Sequence, residues 1–332
     1  MRVLLPVLLA GVVGCAGTGK RGGDGIEIEK LMRKPNAAYR DALVRDLTTT
    51  RTALVDAVLR ADRKGVEAQA KSSDPADRND ALLVAALRQN TEAVDVLLAN
   101  GADPNVADAR GVSPLLVAAA LGDVTTATSL VGRGANVNGA DVDGRTPLML
   151  ASSSPVRVDP RFIALLLENN ASAAKRDRAG RTALMYAAWG GDPEAVGQIV
   201  RADLESVGAA CVKGYTPLMY ATSEAAVAFL LGEGAAVDAD THEGRTALWL
   251  AVYRGNAGVV EALIKEGANR RIKVQANAAF PGIPDGLDAI GLAELRVEVL
   301  RKRTEAATTA AEKQRFAKAL EKARGILKQL KK

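Results

Sequence analysis

Histidine occurs once in the 332 residues, cysteine twice, and aromatic side chains make up only 3%. A single histidine, His242, leaves no multi-histidine metal site and starves the Ser-His-Asp and Cys-His nucleophilic arrangements unless it serves them itself. Two cysteines, Cys15 and Cys211, provide no disulfide framework, so stability must come from packing. With so few aromatics, the core must be built from Leu, Val and Ala, small side chains that suit closely stacked helices. No phosphate-cradling glycine motif is present, because Gly17, Gly19, Gly22 and Gly23 do not join a strand to a helix. Together these absences argue against an enzyme and against a cofactor or metal.

Charge is modest and uneven. The formal net charge is +5, yet residues 301–332 alone hold 11 Lys/Arg against 3 Glu, leaving about −3 elsewhere. The basic character therefore belongs to a tail. That tail lacks the aromatics needed for base stacking, so no nucleic-acid partner is expected. Its simplest reading is a solvated helix face; an anionic lipid surface is the alternative.

The start, MRVLLPVLLAGVVGCAG, combines Arg2, an apolar run of roughly ten residues and small residues before Cys15. The run is too short for a spanning helix. Val12-Val13-Gly14-Cys15 resembles a lipobox, which implies a signal peptide over 1–14, cleavage before Cys15 and acylation of that cysteine. Ala16 in place of Asp implies, by the same resemblance, the inner leaflet of a bacterial outer membrane, with the protein facing the periplasm. Residues 15–35 then read as a flexible tether, rich in Gly at first; roughly twenty such residues reach about 25 Å. An ordinary first helix of a cytoplasmic protein is the competing reading of the same stretch.

Six segments share one order of cap residue, Pro or Ala, and Leu before a short apolar helix: DALLVAALRQN, SPLLVAAALGD, TPLMLASSS, TALMYAAWGGD, TPLMYATSE and TALWLAVYRGN. Their leucines are Leu82, Leu115, Leu148, Leu184, Leu218 and Leu248, separated on subtraction by 33, 33, 36, 34 and 30 residues. Asp80, Ser113, Thr146, Thr182, Thr216 and Thr246 stand where a side-chain oxygen caps a helix. Pro114, Pro147 and Pro217 occupy the first helical position, where a missing N–H costs nothing. Gly122, Gly191 and Gly255 suit the stop of each first helix, and Gly101, Gly134, Gly234 and Gly267 the stop of each second. Asp108, Asp141 and Asp177 each lie three residues before a glycine.

With a period near 33, these segments resemble ankyrin repeats, which implies an all-α solenoid of helix-turn-helix units with β-turn fingers, here about six repeats and degenerate helical caps. The boundaries expected are an N-terminal cap over 36–78, repeats over 79–274, a loop over 275–287, and a C-terminal cap with basic tail over 288–332. Three departures stand out: the histidine usual after Thr-Pro-Leu is absent throughout, repeat three is lengthened around Ser152–Pro160, and repeat four carries Cys211 where other fingers carry Asp. Thr309 and Glu312 have capping-box spacing ahead of a stripe of Phe316, Leu320, Ala323, Leu327 and Leu330.

The resemblance implies protein binding through one concave face made of the finger tips and the inner-helix surface. Residues placed there are Arg88, Leu121, Arg145, Arg178, Arg181, Trp189, Tyr215, His242, Arg245, Tyr253 and Arg254, with Trp, Tyr and Arg the types that most often dominate interfaces. Tyr186, Tyr220 and Trp249 read as core instead. The expected function is a non-catalytic module, monomeric and lipid-tethered, that inhibits or scaffolds another envelope protein. An anionic-lipid scaffold acting through the basic C-terminal helix and a cytoplasmic adaptor are the alternatives.

Overall fold

The computed structural model describes residues 52–153, 159–274, 283–284 and 286–332. The leader, Cys15, the tether and much of the 275–287 loop lie outside those residues, as does the repeat-three insertion at 154–158. Every regular element described is helical, and one isolated bridge joins Asp240 to Thr246.

In residues 52–206, ten α-helices alternate between inner and outer layers: α1 (Ala53–Leu59), α2 (Arg63–Ser72), α3 (Pro75–Leu87), α4 (Thr91–Ala99), α5 (Pro114–Leu121), α6 (Val124–Gly132), α7 (Pro147–Ser152), α8 (Pro160–Glu168), α9 (Ala183–Gly190) and α10 (Pro193–Ala202). Odd-numbered helices pack on odd and even on even, α1 against α3 and α2 against α4 at the start, α7 against α9 and α8 against α10 at the end. The pair α1–α2 is thus a stacked, abbreviated repeat. Alanines make the close stacking possible: Ala81, Ala85, Ala118, Ala119 and Ala187 are fully buried beside Leu82, Leu116 and Leu184.

In residues 207–332, α11 (Pro217–Tyr220) and α12 (Glu224–Gly232) are followed by α13 (Ala247–Arg254), α14 (Ala257–Lys265), α15 (Ala289–Ala306) and α16 (Ala310–Lys331). Helix α13 packs on α11 and α15, while α14 packs on α12 and α16. The final two helices form a hairpin around Leu300, Leu320 and Ala323. Around the intervening loop, Gly286 N–H donates to Val274 O at 2.9 Å, drawing its two ends together.

Local chemistry accounts for most boundaries and corrects some. Ser113, Thr146 and Thr246 cap their helices through the side chain, whereas Thr182 and Thr216 hold the same place without that bond. Asp80 is not a cap. Helix α3 starts six residues earlier because Asp74 accepts from Asp77 N–H and Pro75 follows in the first turn. The outer helices have their own caps, Asn90, Asp123, Asp159, Asp192, Ser223 and Asn256, each accepting a backbone N–H. Thr309 and Glu312 form the capping box, and Ile326 takes the buried place assigned to Leu327. Asn170, at φ +65°, turns the chain after α8 in the position that glycine fills elsewhere.

Candidate functional site

The fingers are built by one repeated set of backbone bonds. At Asp108, Asp141, Asp177, Cys211 and Thr241, the N–H donates to the carbonyl four residues on, and the carbonyl accepts from a glycine three residues on. Those glycines, 111, 144, 180, 214 and 244, all have φ between +74° and +80°, a conformation L side chains rarely adopt. The Asp side chain closes the turn: Asp141 accepts from Asp143 N–H and Arg145 N–H, each at 2.9 Å. Thr241 Oγ1 takes the same two bonds more loosely, at 3.4 and 3.2 Å.

After three of these turns an arginine, Arg145, Arg181 or Arg245, closes the clasp, which corrects part of the expected contact surface. Arg181 Nε lies 2.6 Å from Asp177, whose other oxygen also holds the finger backbone, and Tyr186 donates its hydroxyl to Asp177 at 2.8 Å. Burial holds the Tyr186 phenol protonated well above the ordinary tyrosine range. In residues 207–332, Arg245 donates to the Tyr215 hydroxyl at 2.8 Å and pairs with Glu243 at 2.6 Å; burial raises the Tyr215 pKa, with Arg245 opposing. Tyr253 stacks on Trp249 with ring centroids 5.8 Å apart and planes 6° from parallel. Arg181, Tyr215, Arg245 and Tyr253 are therefore buried and committed inward, not presented to solvent. Arg145 is intermediate, with its guanidinium shared between Asp141 and Asp143.

The other candidate residues face outward to varying degree. Arg88, Arg178 and His242 are exposed, and Leu121, Trp189 and Arg254 are half-buried. In residues 52–206, Arg88, Leu121 and Trp189 sit at or beside the C-terminal ends of α3, α5 and α9, while Arg178 occupies a fingertip tied to the preceding one by its N–H to Asp143 O at 2.8 Å. In residues 207–332, His242 occupies a tip, and Arg254 ends α13 with Nη1 donating to Met219 O at 2.6 Å.

Two tip residues escaped the sequence reading. Val142 and Val212 follow Asp141 and Cys211 directly and are 44% and 67% exposed. The register is visible in the sequence, since every tip is the residue after the one three before glycine, but a valine there has nothing in its own chemistry to distinguish an exposed tip from a core position. Cys211 is buried, its Sγ 4.0 Å from the Tyr220 hydroxyl. Among the described residues, no group of acidic, histidine and cysteine side chains is arranged to hold a metal, and no helix is long and apolar enough to cross a membrane.

The phased helix pairs and clasped fingers agree with comparison to known families. The ankyrin repeat family model matches three times, over residues 82–156, 130–206 and 184–275, more than half of the chain. This chain belongs to the ankyrin repeat family. It is 39% identical over 138 residues to human ankyrin repeat domain-containing protein 63, covering 39% of this chain and 36% of that protein. The mouse protein of the same name is 39% identical over 112 residues, covering 31% and 28%. The chain thus spans about a third of the length of these curated relatives.

Among solved structures, it is similar at 25% identity to a chain in the complex of a predatory endopeptidase from Bdellovibrio bacteriovorus with an immunity protein, with TM-score 0.49 over 56% of this chain and 97% of that one. It is similar at 25% identity to the ankyrin repeat protein EF0377, with TM-score 0.48 over 55% and 96%. Ankyrin repeats are protein–protein interaction modules and are typically non-catalytic.

Proposed function

We propose that this chain is a non-catalytic adaptor or inhibitor, held by acyl chains on Cys15 at the periplasmic face of the outer membrane, that seats another envelope protein on its fingertips and inner-helix ends. The observation that carries the binding surface is the placement of Val142 and Val212. They are two of the three large apolar side chains that stand most exposed among the described residues, and both sit at tips whose backbone is clasped from behind. Exposed apolar groups on a rigid scaffold lose little conformational freedom on binding, which favours recognition. Trp189, half-buried at the end of α9, offers a large anchor in residues 52–206. The tether is supported by the leader's cationic, apolar and small-residue order ahead of Cys15.

The test has two arms. Tagged full-length protein is captured from gently solubilised envelopes as wild type, as Val142→Asp, as Val212→Asp and as Trp189→Ala. One stoichiometric protein held by wild type and lost from a tip or Trp189 variant that still melts cooperatively supports the binding surface; equal recovery from all four proteins rejects it. Palmitate labelling that disappears in Cys15→Ser supports the tether, whereas an unlabelled, unprocessed chain in the soluble fraction makes the protein a cytoplasmic adaptor.

A further inference from the structure

Within residues 207–332, a cavity of about 430 Å³ opens between the end of α13, the middle of α15 and one face of α16. Five cationic side chains line it, Arg254, Arg296, Arg315, Lys318 and Lys322, with the ring of Phe316 among them and no carboxylate. These residues lie up to 68 positions apart by subtraction, 322 − 254, so only the fold collects them.

The guanidiniums at the inner end are fixed. Arg296 is 7% exposed and its Nη1 donates to Tyr253 O and, at 3.4 Å, to Val252 O; Gly255 lets it lie there, since a Cβ at that position would meet Nη2. Arg254 is anchored on Met219 O. The carboxylates of the two flanking helices are largely engaged elsewhere: Glu294 with Lys331, Glu298 with Arg301 and Lys302, Glu305 with Arg301, and Glu312 with the α16 cap. Glu321 is exposed and does not line the cavity. Arg315, Lys318 and Lys322 have no ion pair among the described residues and project at helical spacing along one face of α16.

We propose that this cavity is a binding site for a phosphate-bearing ligand with an apolar portion, a diphosphate ester or a phospholipid headgroup. A phosphate carries up to two charges and three acceptor oxygens in a small volume, and so draws on several closely set cations at once. Arginine forks match that geometry bidentately while lysines act as mobile point charges. Ala319, Ala323 and Ile326 line the cavity beside Phe316 and offer contact to hydrocarbon or a sugar ring. The volume falls in the range that small-ligand sites occupy, on the order of 300–1,000 Å³.

The experiment uses the full chain and two probes: inorganic pyrophosphate followed by calorimetry, and cosedimentation with phosphatidylcholine vesicles prepared with and without phosphatidylglycerol. Lys318→Glu/Lys322→Glu reverses two cavity charges; Lys313→Glu/Lys328→Glu makes the same charge change on exposed positions of the same helix outside the cavity. Arg315→Ala is a milder third variant. Wild type is expected to bind at least one probe, the cavity variant to lose about tenfold or more in affinity, the control to stay within about twofold, and Arg315→Ala to fall between. Cavity-dependent binding of pyrophosphate assigns a soluble ligand, and cavity-dependent response to phosphatidylglycerol a lipid headgroup. Equal loss in cavity and control variants, loss in neither, or no binding by wild type to either probe overturns the proposal.

Discussion

Replacing Asp177 with alanine removes the acceptor of four hydrogen bonds, from Ala179 N–H, Arg181 N–H, Arg181 Nε and the Tyr186 hydroxyl. The Asp177 side chain is 1% exposed and that of Arg181 8%, so the substitution takes the shared carboxylate from a guanidinium and a phenol that are both buried. Breaking a buried pair on one side costs about 3–5 kcal/mol, because the surviving charge keeps its desolvation cost. In the first finger the carboxylate of Asp108 is paired by Arg110, two residues on and 34% exposed, and Arg110→Ala should cost about 0–1 kcal/mol. Urea denaturation of the full chain, followed by far-ultraviolet circular dichroism, measures both. A cost for Asp177→Ala no larger than that for Arg110→Ala would show that the third finger gains nothing from its burial, and the clasp argument would fall.

Two further outcomes follow from the same contacts. Below pH of about 10, Tyr186 is protonated folded and unfolded; above it the unfolded chain ionises while the buried phenol does not, so stability should fall with rising pH by about 1.4 kcal/mol per unit for this group. Denaturation across that window should show a flatter fall in Tyr186→Phe, and an unchanged slope contradicts the assignment. Gly255→Ala forces an L side chain to φ +74° and drives its Cβ into the Arg296 guanidinium, whereas Gly101→Ala, at φ +85°, meets nothing within 4 Å. Both should destabilise by about 1 kcal/mol or more from the backbone; the excess of the first in thermal melts measures the Arg296 contact, and no excess removes it.

The repeat was legible because its signals are local. Leucine spacing, Thr-Pro at helix starts and glycine at helix stops each report on a few neighbouring residues, and they mark the helix pairs of α3 to α10 in residues 52–206 and of α11 to α14 in residues 207–332. The first helix boundary was missed where two local signals competed: Asp80 matched the repeat register, but Asp74 with Pro75 opens the helix sooner. The surface was less legible, because exposure depends on which distant residue answers a side chain. Arg245 reads as a fingertip cation until the Tyr215 hydroxyl, 30 residues earlier, takes its Nη1, and Tyr253 reads as an anchor until Trp249 stacks beneath it. The cationic cavity is the extreme case, since no window of sequence contains both Arg254 and Lys322.

The clasp beneath each finger also separates two kinds of information in the chain. Residues that close the turn face inward and are answerable to folding, while the single residue at the tip, Ala109, Val142, Arg178, Val212 or His242, is exposed. Folding therefore places few demands on what that residue is. Specificity can drift there, under selection or in a designed library, five positions at a time and with the scaffold left untouched.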